Sequence, residues 1–282
     1  MKKLKALIDV TKPKQTFLLM VTFFVAYFVA SKCLDLKFVI SALATYLAIS
    51  GTTALNMWLD RDLDAVMSRT KNRPVPSGIL SPLECAMYGF TLFILGIAIG
   101  FFVSPEFVLI LFLGLFFDIV IYTILLKRRS PYSIVLGGFA GAMPALAGYT
   151  AASGFSILGL ILAGIVLLWI PSHIWYISMY YEEDYKKAGI PMYPLVVGME
   201  RASWAIVLAV ALMLILVSVL YVLMPLSVLY LIASISVTAF FLYKAVKFAI
   251  NPEREKARAM YKLASITLAT IYLSMLLGSL SS

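Results

Sequence analysis

The sequence predicts an all-α, polytopic membrane protein that crosses the bilayer nine times. Its 282 residues are 62% hydrophobic and only 13% charged, with a mean hydropathy of +0.98, far outside the composition of a water-soluble globule. The charges and helix breakers leave nine apolar stretches, each long enough for a hydrocarbon core of about 30 Å. Lys and Arg also fall overwhelmingly on one side of those stretches.

The first stretch, 16–31, lies between Lys14 and Lys32. Five lysines precede it (Lys2, Lys3, Lys5, Lys12 and Lys14), as they would a secretory leader. Ala30-Ser31-Lys32 is a poor cleavage site and eight spans follow, so it reads as a retained helix. The second, 38–58, runs from Lys37 to Asp60, and the third, 83–103, from Pro82 to Ser104-Pro105. The fourth, 106–126, closes on Lys127-Arg128-Arg129, and the fifth, 131–152, on Ser153-Gly154. The sixth, 155–180, ends at Glu182-Glu183-Asp184. The seventh and eighth, 203–223 and 225–249, are divided by Pro225, and 259–280 is the ninth. Residues 1–282 read as a single transmembrane domain.

With these spans, 21 of the 23 Lys and Arg residues lie on one side and only Lys32 and Lys37 on the other. The positive-inside rule then puts the N-terminus in the cytoplasm and the C-terminus outside, in the cell membrane. The net charge of +9 is therefore topogenic and requires no nucleic-acid partner. Cys33 and Cys85 fall at opposite faces of the bilayer, which excludes a disulfide between them. No Cys-x-x-Cys or His-x-x-x-His pattern offers a soft-metal site.

Chemistry gathers at the predicted cytoplasmic edge. In Asn56-Met-Trp-Leu-Asp60-Arg-Asp62-Leu-Asp64, polar residues recur every four positions at the end of span 2. Each such step advances about 40° around a helix and about 6 Å along it, so Asn56, Asp60 and Asp64 share one face. Asp62 stands about 200° from Asp60 and points elsewhere. Carboxylates beside hydrocarbon are costly unless a cation neutralises them, and carboxylate and amide oxygens suit Mg²⁺.

A second acid-bearing segment, Tyr180-Tyr181-Glu182-Glu183-Asp184-Tyr185, ends span 6, four spans later, which hints at two related four-helix halves plus one helix. On a continuous helix His173, Tyr180 and Asp184 lie within about 40° of one another. Asp184 is thus the expected second-site carboxylate, with Glu183 its alternative. His173, the only histidine, is a candidate for a haem or proton-transfer role, since ionisable residues inside spans are commonly functional. Asp118 in span 4 is expected to line a cavity or to pair with a nearby base.

Basic residues accompany both acid clusters: Arg69, Lys71 and Arg73 follow Asp64 in a Pro/Gly-punctuated loop, and Lys127 and Arg128 end span 4 behind Tyr122. Acids with several Arg and Lys at one mouth suit a Mg²⁺-bridged polyphosphate, and an apolar cavity between helices suits a lipid tail. Together they point to cleavage of an isoprenyl diphosphate at the membrane surface.

Asn56-x-x-x-Asp60-x-x-x-Asp64 resembles the first aspartate-rich motif of the UbiA-type intramembrane prenyltransferases. The string from Asn56 through Asp60-Arg-Asp62-Leu-Asp64, Met67, Arg69 and Arg73-Pro-x-Pro-Ser-Gly78 is similar to their haem-directed branch, the protohaem IX farnesyltransferases. So are Tyr122-Thr with Lys127-Arg-Arg129, Gly137-Gly with Gly141-Ala-x-Pro144, Trp169-x-Pro-x-His173-x-Trp175, and Asp184-Tyr185 through Gly189-Ile-Pro191. A weaker match, Thr11-Lys-Pro13, precedes them.

The resemblance implies a nine-helix fold around a central cavity open to the cytoplasm and laterally to membrane lipid. It implies farnesyl diphosphate and haem b as substrates and Mg²⁺ as cofactor. The allylic cation would alkylate a haem vinyl group, and water would add to give the hydroxyethylfarnesyl chain. By position, Asn56, Asp60 and Asp64 would hold Mg²⁺, and Asp184 a second metal or its water shell. Arg69, Lys71, Arg73, Lys127 and Arg128 would stabilise the departing diphosphate, with Tyr122 and Tyr185 beside it. The product's partner would be a haem-modifying enzyme or a terminal oxidase assembly. One departure stands out: where most relatives carry two aspartates four apart in the second motif, this chain has Tyr181 and Tyr185. The alternatives are a UbiA-type enzyme with an aromatic or lipid acceptor, or a secondary transporter.

Overall fold

Each span begins where the sequence supplies a cap. In the computed structural model, which describes residues 2–280, a surface helix α1 (Lys2–Val10) precedes α2 (Pro13–Ser31). Pro13 starts α2 because its φ is already helical and its missing N–H is not needed there. Asp35 caps α3 (Leu36–Leu59) by accepting from the Phe38 amide. Ser81 and Glu84 form a capping box on α5 (Pro82–Gly100), and α4 (Arg61–Val66) lies between α3 and α5. Ser104 caps α6 (Pro105–Leu115). Then follow α7 (Ser133–Ser153), α8 (Ile157–Tyr180), α9 (Glu182–Lys187), α10 (Tyr193–Val197), α11 (Met199–Leu223), α12 (Val228–Ile250) and α13 (Arg254–Leu280).

Among the described residues nine helices are long and apolar enough to cross a membrane, as expected. Their outward faces carry large exposed side chains such as Val222 and Ile250, 80% and 70% accessible, an apolar belt that only lipid or another protein would cover. Several bounds differ from the sequence reading, among them span 1, which starts three residues earlier at Pro13, and span 8, which starts three residues later at Val228. The seventh and ninth spans start at Met199 and Arg254, several residues earlier, because Glu200, Arg201, Lys256 and Arg258 extend helices beyond the hydrocarbon and keep their charged ends in water. Span 3 ends at Gly100, three residues early. Span 4 is α-helical only to Leu115 and continues as a π-helix, π1 (Phe116–Leu126), whose wider winding pairs residues five apart.

Close packing uses glycine. A Cβ on Gly51 of α3 would lie 2.6 Å from the Gly89 carbonyl of α5, and one on Gly96 would lie 2.8 Å from Ala44 O. Gly148 of α7 leaves no room for a side chain against Phe23 of α2, and Gly137 lets α7 approach Tyr122 of π1. Small residues at crossings substitute for the hydrophobic drive that lipid cannot supply. Helices α2, α3, α6–π1 and α7 thereby surround a cavity of about 120 Å³, whose lining includes Thr52 and Asp118, one helical turn before Asn56 and Thr123.

Candidate active site

Helix α3 pauses at Asp60, where ψ is 2°, yet the helical phase survives. The Asp60 amide donates to Asn56 O at 2.9 Å and the Asp64 amide to Asp60 O at 2.8 Å, so the i, i+4 ladder runs through the break. Asn56, Asp60 and Asp64 are consequently all buried, at 6%, 1% and 4% exposure. Asp62 faces out, and its carboxylate takes a forked pair of bonds from Arg128, both at 2.6 Å. That pair is open to water, and Arg128 holds the Asp62 carboxyl below its usual range. Arg128 thus stands on the outer side of the segment, while Lys127 turns inward.

The inner face is a chain of matched donors and acceptors. Asn56 Nδ2 donates to Asp60 Oδ2 at 3.0 Å and to Thr123 Oγ1 at 2.9 Å, while Lys12 Nζ donates to Asn56 Oδ1 at 2.8 Å. Lys127 pairs with Asp60 Oδ2, and its ammonium lies 5.3 Å from the Tyr122 ring centre. Burial opposes the charge on Lys127, but Tyr122 and the carboxylates of Asp60 and Asp64 outweigh it and hold the ammonium above its ordinary value. Arg73 Nη1 bonds both oxygens of Asp64, at 2.8 and 2.7 Å.

Lys12 was expected as a topogenic charge and as part of the weaker Thr11-Lys-Pro13 match, with no role at the site. It sits in the left-handed region at φ 47°, ψ 62°, a conformation costly for a residue other than glycine and frequent at functional sites. The flanking Thr11 carbonyl accepts bonds from Thr16 of α2 at 2.7 Å and Thr53 of α3 at 3.1 Å, and these hold the turn that aims Lys12 at Asn56. Burial, then the nearby Arg73, pushes the Lys12 ammonium down to about 8. Thr123 was also missed. In an α-helix Asp118 would stack on Tyr122; in π1, Thr123 instead lies one turn from Asp118 and donates to its backbone carbonyl at 2.7 Å. Tyr122 likewise aligns with Lys127, whose amide donates to Tyr122 O at 2.7 Å.

Asp184 is buried at 6% exposure, but its neighbours differ from those expected. Its Oδ1 accepts from the Ser68 amide at 3.1 Å and the Ser68 hydroxyl at 2.8 Å. Burial raises the cost of its charge, and the Ser68 bonds more than compensate, keeping the carboxyl below its usual range. Asp184 therefore ties α9 to the loop after α4. The helix pauses at Tyr181 as α3 does at Asp60, and its ladder likewise continues, with the Tyr181 amide donating to Ile177 O at 2.9 Å and the Tyr185 amide to Tyr181 O at 3.3 Å, but His173 and Asp184 share no partner. His173 faces α13 instead: its ring stacks on Trp169 at 4.6 Å and its Nδ1 lies 3.2 Å from Ser265 Oγ. Arg69 lies over Tyr181 and Tyr185, 5.2 and 5.9 Å from the ring centres, so the tyrosines at the departed motif positions cradle a guanidinium. Lys71 is exposed on the same loop.

The donor set fits Mg²⁺. Its members are hard oxygens, and Asp60 Oδ1 is fully buried with no hydrogen-bond partner, an unmet acceptor of the kind a cation satisfies. Among the described residues no three acids, histidines or cysteines converge as a ready-made cage; the remaining oxygens are occupied by Lys12, Lys127 and Arg73. Such a sparse protein contribution is usual for Mg²⁺ bound together with phosphate.

One prediction follows from the split between inner and outer carboxylates. Asp62→Ala should change stability by no more than about 1 kcal/mol, as expected for an exposed pair, and leave turnover near that of the parent. Initial rates for Asp62→Ala and Asp60→Ala measured side by side check this, and equal losses would place Asp62 on the inner face.

A model of the UbiA prenyltransferase family matches residues 18–266. A protein of Archaeoglobus fulgidus named protoheme IX farnesyltransferase is 69% identical over 278 residues, covering 99% of both chains. A protein of the same name from Korarchaeum cryptofilum is 46% identical, covering 99% of this chain and 95% of its own. Among solved structures, one of a digeranylgeranylglyceryl phosphate synthase superposes with a TM-score of 0.86 over 100% of both chains at 22% identity. A UbiA homologue from Archaeoglobus fulgidus bound to DMAPP and Mg²⁺ gives 0.68 at 17% identity, covering 98% of this chain and 99% of that one. Burial of the Asn56-Asp60-Asp64 face, which begins one helical turn beyond the Thr52 that lines an apolar cavity, agrees with these matches, and the chain belongs to the UbiA prenyltransferase family.

Proposed function

We propose that this protein transfers the farnesyl group of farnesyl diphosphate to a vinyl group of haem b, giving haem O. The observation that carries this reading is the buried Asn56-Asp60-Asp64 face, flanked by Lys12, Lys127 and Arg73 and beginning one helical turn beyond the Thr52 of an apolar cavity's lining. The 69% identity to a protoheme IX farnesyltransferase across nearly the whole chain supports the choice of acceptor. The proposed setting is the cell membrane, with the N-terminus and the mouth on the cytoplasmic side and the C-terminus outside, in keeping with the one-sided Lys and Arg. A haem-modifying enzyme or an oxidase assembly is the proposed recipient of the product.

Asn56, Asp60 and Asp64 would hold Mg²⁺, which neutralises diphosphate oxygens and so makes the group easier to expel. The chain's own cations do the rest of the electrostatic work. Arg73, Lys12 and Lys127 already point at the acid face and stand ready to accept the charge that develops on the leaving group. Arg69, held over Tyr181 and Tyr185, closes the same mouth. Below them Leu19, Ile49, Ile110 and Met143 line the cavity, where an allylic chain is shielded from water that would otherwise quench its cation. The cavity of about 120 Å³ is smaller than the several hundred Å³ of typical ligand pockets, so substrate entry requires the helices around it to move apart.

Purified protein given haem b, farnesyl diphosphate and Mg²⁺ should yield prenylated haem by mass spectrometry. Activity should disappear with a chelator and return with added Mg²⁺. Turnover of 4-hydroxybenzoate without turnover of haem would overturn the acceptor assignment.

A further inference from the structure

Of the residues that line the cavity, Asp118 alone is ionisable. It lies on π1, one π-turn deeper than Thr123, and therefore below the layer of Asn56, Asp60 and Lys127 that would meet the diphosphate. Thr123 engages its backbone carbonyl, but its carboxylate has no hydrogen bond or ion pair among the described residues. Lys12, Asp60 and Lys127 act on it only through the electrostatic field. A second polar group of the same wall is also unmatched: the Thr45 hydroxyl, fully buried, has no partner. Unmatched polar atoms in a cavity that Gln15, Thr52 and Thr53 also line mark places where ordered water sits.

We infer that Asp118 is the base that directs water onto the prenylated acceptor. This rests on the haem-prenylating function proposed above. In that reaction the vinyl π electrons form a C–C bond to the farnesyl C1 as the C1–O bond breaks, and its electron pair leaves with the diphosphate. Positive charge then resides on the vinyl carbon next to the porphyrin ring. Hydration forms a C–O bond from a water lone pair to that carbon, and one water proton must be taken up. Asp118 accepts it, deep enough to be away from the leaving group and without a counter-ion to neutralise it beforehand. From there the proton returns towards the mouth. Where no water is held against that carbon, the same cation instead gives up a proton from the adjacent CH2 to the released diphosphate and forms an alkene, so the carboxylate that orients the water decides between two products as well as affecting a rate.

Asp118→Asn, Asp118→Ser and Asp118→Glu, assayed with haem b, farnesyl diphosphate and Mg²⁺ and resolved by mass spectrometry, test this. In the Asn and Ser variants the hydrated adduct should fall by on the order of a hundredfold relative to the adduct lacking one water, while diphosphate is still released. The Glu variant, which keeps the carboxylate, should retain hydrated product. Two substitutions of different size guard against one that fails to insert, and melting in detergent reports folding for each. An unchanged ratio of hydrated to anhydrous adduct in the Asn or Ser variant, whatever its total rate, would overturn the role. Failure of the unmutated protein to prenylate haem at all would instead overturn the function on which it rests.

Discussion

Asp60→Ala should abolish turnover while the nine spans still insert. Asp60 is the most buried member of the acid face, at 1% exposure, and one of its oxygens finds no partner among the described residues. Its other oxygen collects the Asn56 amide and the Lys127 ammonium. The substitution removes a hard metal ligand and also releases Lys127, so the loss should reach at least the hundred- to thousandfold, on the order of 10² to 10³, associated with losing one preorganised charge-stabilising group. Asp60→Asn keeps the shape and a bond to Lys127 but not the charge, and should be nearly as inactive. Initial rates of haem prenylation, with melting in detergent as the control for folding, decide the matter. Near-parental activity in either variant would remove Asp60 from the metal site.

Lys127→Met should damage the fold before it damages the chemistry. The Lys127 and Asp60 side chains are 12% and 2% exposed, so the change strands a carboxylate in a low-dielectric site with one amide for company. Breaking a buried pair by removing one partner costs about 3–5 kcal/mol, which should appear as a clear drop in melting temperature. The same argument gives a signature specific to this site. A divalent cation that binds the folded state alone stabilises it by mass action, and it has more unbalanced charge to neutralise when the lysine is gone. Mg²⁺ should therefore raise the melting temperature of Lys127→Met more than that of the parent. An equal response in both would separate Lys127 from the metal face.

The parts of the molecule that were legible in the sequence are those governed by hydropathy and helical phase. Nine spans could be read because charges and prolines interrupt hydrocarbon at regular intervals. Asp62 could be set apart from Asp60 and Asp64 because the hydrogen-bond ladder continues through the pause at Asp60. At Tyr181 the ladder continues in the same way, through the Tyr181 and Tyr185 amides, so what the sequence did not show there is the tertiary partner of each residue, Ser68 for Asp184 and Ser265 for His173. The π-helix was invisible for a different reason. Phe116–Leu126 is almost uniformly apolar, so a change of winding alters no hydropathy pattern, and Thr123 carried no mark of its place beside Asn56. Lys12 was hidden among lysines that a positive-inside argument already explained.

The π-helix has one consequence for how this protein can vary. Asp118 is matched to Thr123, and Tyr122 to Lys127, by steps of five, so their alignment is written in the number of residues between Phe116 and Leu126 rather than in their identities. Deleting a single apolar residue there would favour an α-helix, in which residues four apart align, so that whichever of the two five-residue pairings lay outside the deletion would be lost. No substitution on its lipid side does anything comparable. Span 4 is therefore permissive of spelling and strict about length, and an insertion or deletion is the lesion to which the site is most vulnerable.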